Sequence, residues 1–382
     1  MFFAVVTGLL INLASPNFSH IETSSDNLYR NKIENYDVIT ISQSGSLFYS
    51  VTNEIIQSAK NLNTNLTFIG RANIGLEKTT NSSGQVKVST LNNYLYNVSV
   101  KTIDSSVTNY FYNISESSVI NSGRLLVSEL TAERYSLEVG DKVFLVGLEN
   151  KIIELEVGGI SKDSDMGWFE MVVNKDIGYQ LGIFRNIQAI IWDSNINENF
   201  LIELHKNIKY SKVKFSFRDS VPNQNWVLPN ALVKEYFGDF QIKERDGVWI
   251  TTEPSWRNKN IQQKRMPLLG LTVCHWLMWA PLEGALNQII DEGLGDYLSK
   301  EEFQTSGGCY APRRISRFDA GGSISRHAWG IAIDINTKSG YPQRIVEIFN
   351  SWGFAWGGTW TSPDEMHFEL RDLSPSISKS SS

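Results

Sequence analysis

The stretch Ser325-Arg-His327-Ala-Trp-Gly330-Ile-Ala332-Ile-Asp334, with Asp364-Glu-Met-His367-Phe-Glu-Leu370 about thirty residues further on, decides how this chain is read. In the first segment Gly330, Ala332 and Asp334 alternate with Ile331, Ile333 and Ile335, which is the period of a strand. The isoleucines face a core. The opposite face carries two small residues and then a carboxylate, which leaves room for an ion. The second segment alternates as well, with Met366, Phe368 and Leu370 inward and His367 and Glu369 outward. Pairing of the two strands sets Asp334 and His367 on one face, and His327 folds over it from the preceding loop. Two imidazoles and a carboxylate with a fourth position open form the donor set of a hydrolytic zinc site. Only five histidines occur in the chain, so two of them in this arrangement carry weight.

Asp364 and Glu365 are adjacent carboxylates, and either can approach the open position as a general base. Strand alternation puts Glu365 on the face of His367, so the sequence leaves the choice open. Glu369 is placed to accept a hydrogen bond from a ligating imidazole.

A chain of 382 residues is longer than one core usually serves, which predicts two domains. A net charge of -6 argues against nucleic acid as a partner. The apolar run Met1 to Ala14 has the length of a signal-peptide core without the preceding Lys or Arg, so residues 1–25 are expected to be an export signal or a truncated membrane anchor. The competing reading is a buried N-terminal strand or helix. In an exported chain, two cysteines predict a Cys274–Cys309 disulfide, worth about 3–4 kcal/mol on the chain-entropy model.

The predicted fold class is α+β. Residues 26–212 read as a β-rich domain, from segments such as 36–41, 94–100, 143–146 and 152–157. Helices are expected over 50–61, with Val51, Ile55, Ile56 and Ala59 on one face, and over 128–136, capped by Ser128. Gly140-Asp141 reads as a hairpin turn. Residues 213–260, with Pro222, Pro229 and Pro254, read as an interdomain connection. The last domain, 261–373, is expected to hold a small antiparallel sheet flanked by helices. One of these spans 281–294 and buries Leu282, Ala285, Leu286, Ile289 and Ile290. The serine-rich tail 374–382 reads as disordered.

The pattern Ser-x-His-x-x-Gly-x-Ala-x-Asp, together with Cys309-Tyr-Ala-Pro-Arg313, Trp352-Gly-Phe-Ala-Trp-Gly-Gly358 and Asp364 to Leu370, resembles the M15 family of zinc peptidases. That family includes VanY-type D-alanyl-D-alanine carboxypeptidases and phage L-alanyl-D-glutamate endolysins, and the closer likeness is to the VanY-like endolysin branch. The resemblance implies Zn2+ on His327, Asp334 and His367, with Asp364 as the base. It also implies an arginine on the substrate, best matched by Arg313, with Arg314 and Arg317 as alternatives. Ser325 and Trp329 are expected beside Arg313 on the substrate side, and Trp356 is a further candidate to line the groove; the competing reading of both tryptophans is core packing. The implied substrates are peptidoglycan stem peptides, met outside the cytoplasm. The alternative is a non-catalytic, zinc-stabilised module that binds cell-wall peptides or a partner.

A second likeness is structural. Ser122 to Ala132, Leu137 to Leu145 and Glu156 to Ile160 resemble the periplasmic core domain of MacB/FtsX-like transporter permeases. It implies a spacer or a module that binds a protein partner, and brings no catalytic residue.

Overall fold

A computed structural model describes residues 19–22, 36–43, 47–184, 187–196, 198–208, 213–217, 227–305, 308–315, 322–336, 338–360 and 363–373. The class is mixed α+β, and the small antiparallel sheet expected in the C-terminal domain is present, with three strands. The apolar N-terminal run and the serine-rich tail lie outside the described residues. Among those described, no helix is long and apolar enough to cross a membrane.

Alternation along Tyr36–Ser42 organises the first layer. This strand lies between Gln188–Ile196 and Lys214–Phe217 in a five-stranded antiparallel sheet. Its Ile39 and Ile41 pack under the helix Tyr49–Asn61 through Val51 and Ile55. Val38, on the other face, packs against Ile103, Ile120 and Leu126 of the next layer. Ile56, expected on the buried face of the helix, is exposed.

That next layer closes on itself. Leu95–Ile103 pairs with Met171–Asn174, then follow Leu125–Ser128, Ile152–Ser161, Lys142–Val146 and Arg71–Thr80, which returns to pair with Leu95–Ile103. The result is a six-stranded ring filled by Leu76, Val98, Val100, Val127, Val143, Val157 and Val173. Closure leaves few unpaired edges. The helix Glu129–Arg134 forms as expected, with the Ser128 hydroxyl accepting from Thr131 N. Gly140 adopts φ +94°, but its turn leads from this helix into the strand Lys142–Val146, so it is not a hairpin between two strands.

Residues 213–260 are not a connection. Lys214–Phe217 is a strand of the first sheet, and Gln241–Glu244 and Ile250–Thr252 extend the barrel sheet from Leu95–Ile103. The helix Asn230–Phe237 contributes Leu232, Val233 and Phe237 to the C-terminal core. Pro222 lies outside the described residues, and the other two prolines sit at element edges. Pro229 precedes one helix and Pro254 opens another, positions where the missing N–H costs nothing.

In the C-terminal region Ala332–Asp334, His367–Leu370 and Phe354–Trp356 form the antiparallel sheet, with His367–Leu370 in the middle. The helices Trp279–Asp291 and Gln343–Ser351 cover it through Leu282, Ala285, Leu286, Ile289, Ile345 and Phe349. Ile290 points out to solvent instead of joining that stripe. Cys274 and Cys309 are disulfide-bonded, which ties the strand Gly270–His275 to the segment entering the first motif.

A buried ionic cluster fastens the C-terminal region to the barrel. Lys234 Nζ donates to Glu170 Oε1 at 2.8 Å and to the Asn97 carbonyl at 2.6 Å, and lies 3.6 Å from Asp239. Glu170 also accepts from Ser99 N and Oγ, so its oxygens are satisfied although the residue is fully buried. Removing Lys234 leaves buried Glu170 with Arg134 at 3.6 Å and the Ser99 donors, and takes away its closest cation. Lys234→Ala is expected to lower the unfolding free energy by about 3–5 kcal/mol, read from the urea midpoint. A loss below about 1 kcal/mol, the range of an exposed pair, would remove the cluster from the account of how the two parts are joined.

Candidate metal centre

Three backbone contexts deliver the three candidate ligands. His327 sits in the short 3-10 turn Arg326–Ala328, where Ser325 Oγ accepts from His327 N at 3.3 Å. Asp334 ends its strand, His367 begins the adjacent one, and the two are direct partners in the ladder. Ligand atoms of His327, Asp334 and His367 all lie within 4.8 Å of one another, and all three residues are buried. The expected pairing of the two motif strands, with Asp334 and His367 on one face, is therefore present.

Hydrogen-bond partners fix how the rings face. His327 Nδ1 lies 3.0 Å from the Cys309 carbonyl, which can only accept, so Nδ1 carries the hydrogen and Nε2 offers its lone pair to the centre. His367 Nε2 lies 3.2 Å from Glu369 Oε2, so Nδ1 is the atom turned inward. Both inward nitrogens converge on Asp334 Oδ1, at 3.2 and 2.9 Å. Two lone pairs and a carboxylate oxygen held together in a buried site repel unless a cation lies among them. In the protein alone a proton serves. Burial works against a charged His367, but Asp334 and Glu369 outweigh it and push its pKa up to about 9. Burial likewise opposes ionisation of Asp334, and the two imidazoles overcome it, holding the carboxyl well below its ordinary range. The donor set fits a divalent metal of the zinc type, with each ligating ring anchored through its outer nitrogen.

Around the ligands, Asp364 and Glu365 separate cleanly. A tight turn runs from Asp364 to His367, with His367 N donating to Asp364 O at 3.1 Å. The Asp364 side chain is half-buried. Burial raises its pKa, with Asp334 adding to the rise, while His367, His327 and Arg313 pull against it. Glu365 is exposed, and its backbone carbonyl accepts from Trp356 Nε1 at 2.8 Å. Gly357 makes the turn possible. A Cβ there would stand 2.5 Å from Asp364 O and 3.3 Å from His367 Cβ.

Of the three arginines, Arg313 reaches the centre, its Nη2 lying 3.7 Å from Asp334 Oδ2. Arg314 is committed elsewhere, to Glu244 and the Gly322 carbonyl. Arg317 lies outside the described residues. Two expectations fail on burial. Ser325 is buried with its hydroxyl used as the cap of the His327 turn, and Trp329 is 1% exposed, packed on Phe240 with its indole N–H on the Gly238 carbonyl. Neither faces a groove. Gly330 is also small for a different reason than room for an ion. It has φ +67°, and a Cβ would meet His275 N at 2.7 Å.

Sequence reasoning missed the Cys309 carbonyl, because a backbone acceptor has no residue signature. It also missed Arg326. This buried guanidinium lies 3.6 Å from Glu369 Oε1, donates to Asn230 Oδ1 at 2.7 Å and bonds the Leu228 carbonyl, so Glu369 is held from behind. Trp360 lies with its ring 5.1 Å from that of His367. Glu369→Gln, which keeps the shape and removes the charge, is expected to weaken zinc binding about 10–100-fold, measured by competition with a chromogenic chelator. Unchanged affinity would detach Glu369 from the centre.

Residues 319–370 match an M15 peptidase family model described as D-alanyl-D-alanine carboxypeptidase. The matched stretch contains His327, Asp334, Asp364 and His367, and stops short of Cys309 and Arg313. No curated protein matches the chain. The C-terminal region is thus similar to a peptidase family over the stretch that builds the buried His–Asp–His group.

Proposed function

We propose that the chain is a zinc-dependent peptidase that hydrolyses peptide bonds in peptidoglycan stem peptides, as a D-alanyl-D-alanine carboxypeptidase or a related endopeptidase. The observation that carries this reading is the convergence of His327 Nε2 and His367 Nδ1 on Asp334 Oδ1, beside a half-buried Asp364. A purely structural metal site closes its coordination with four protein ligands. Three candidate ligands among the described residues, with a carboxylate of raised pKa beside them, favour catalysis over a binding module.

Zinc held by His327, Asp334 and His367 would supply Lewis acidity and bring water into the range where it ionises at neutral pH. The chain's own groups do the rest. Asp364 takes the proton from the attacking water and returns it to the leaving amine, a double duty suited to a carboxyl shifted towards neutrality. The Arg313 guanidinium, partly open to solvent on the side of Asp334, stabilises the oxyanion. The carbonyl of Cys309 and the carboxylate of Glu369 keep the two imidazoles from turning, so no reorganisation is needed as the reaction proceeds. The disulfide favours an oxidising compartment, in keeping with action outside the cytoplasm.

Incubation of a defined stem peptide with the zinc-loaded protein, followed by mass analysis, tests the reading and names the bond cut. Hydrolysis should stop with a chelator and return with zinc. Asp364→Ala should lower kcat by about 10²–10⁴, and Arg313→Ala by about 10²–10³, while Glu365→Ala leaves the rate nearly unchanged. Full activity in Asp364→Ala would move the base elsewhere. Absence of hydrolysis in the zinc-loaded parent would leave the non-catalytic module.

A further inference from the structure

Trp249 lies in the turn between Gln241–Glu244 and Ile250–Thr252, on the sheet that extends from the barrel, well before the stretch matched by the peptidase family. It is 49% exposed, a large apolar area to leave in water. Its backbone pairs with Arg313 in an isolated antiparallel bridge. The flanking hydrogen bonds run from Ile250 N to Pro312 O at 3.1 Å and from Arg314 N to Val248 O at 2.8 Å. That pattern makes Trp249 and Arg313 a non-hydrogen-bonded pair, whose side chains rise on the same face and stand closest together. Arg313 is the arginine that reaches Asp334 from this face, while Arg314, next in the alternation, is held by Glu244. The side chain that rises from the neighbouring strand on the same face as Arg313 is therefore Trp249.

We propose that Trp249 forms one wall of the substrate cleft, packing its indole against a C–H-rich face of the substrate away from the scissile bond. Two parts of a peptidoglycan substrate offer such a face, an aliphatic side chain of the stem peptide and the ring of the amino sugar attached to it. The proposal rests on the peptidase reading and deepens it. It gives the barrel a part in substrate recognition, because its extended sheet carries the hairpin that presents Trp249. An exposed indole is suited to this role, since it supplies wide apolar contact at little cost in side-chain freedom.

Steady-state kinetics on a stem peptide with and without its attached amino sugar test the proposal. The full zinc-loaded chain would be compared with Trp249→Ala, Trp249→Phe and Trp249→Leu, each checked for an unchanged melting temperature. Trp249→Ala should raise KM about tenfold with kcat nearly constant, and Trp249→Phe should recover most of the loss. A KM effect confined to the sugar-bearing substrate would identify the sugar as the occupant, and an equal effect on both would identify the peptide. Unchanged KM in Trp249→Ala and Trp249→Leu, with an active parent, would overturn this inference alone. A parent inert towards both substrates would overturn the peptidase reading and this inference with it.

Discussion

Asp334 faces His367 across two antiparallel strands, and the rest of the centre is arranged around that pairing. Strand side chains alternate, so a slip of one residue would turn His367 into the core and bring Phe368 to the metal face. The apolar neighbours prevent such a slip. Ile331, Ile333, Ile335, Phe368 and Leu370 are buried together with the two covering helices, and only one register buries them all. Hydrophobic burial here does not merely stabilise a sheet. It fixes the distance between two ligands.

The partners outside the centre explain why three polar residues can stay buried. An ionised carboxylate removed from water is costly unless it is paired and hydrogen-bonded. Asp334 has two imidazoles and Arg313, Glu369 has His367 and Arg326, and Arg326 in turn is bound by Asn230 and the Leu228 carbonyl. Each charge is answered by the next. The chain of partners runs from the candidate ligands to the first residue of the helix Asn230–Phe237.

The ligand set was legible because it depends on residue type and on period-two alternation, both of which are local. Asp334, His367 and Glu369 fall where that alternation puts them, and His327 joins them from the preceding turn. The different burial of Asp364 and Glu365 was not legible, since it depends on how tightly the turn at Gly357 closes. Ser325 and Trp329 were misplaced for a related reason. A hydroxyl used as a cap and an indole sunk in a core look the same in sequence as groups that face a substrate. In the fold, the helices expected over 50–61 and 128–136 and a handful of the strands could be read from periodicity and capping. Closure of the barrel could not, because pairing of Arg71–Thr80 with Leu95–Ile103 and with Lys142–Val146 is set by long-range geometry.

The core of the C-terminal region begins earlier in the chain than its catalytic motif. Leu232, Phe237, Phe240 and Trp256 share one apolar cluster with Trp329, Ile333 and Phe368, and Lys234 in the same stretch is locked to Glu170 of the barrel. A fragment beginning at residue 261 would expose one wall of that cluster and lose the brace behind Glu369. Barrel and C-terminal region thus share buried contacts rather than meeting only at a linker, which makes their fusion hard to exchange for another by simple recombination.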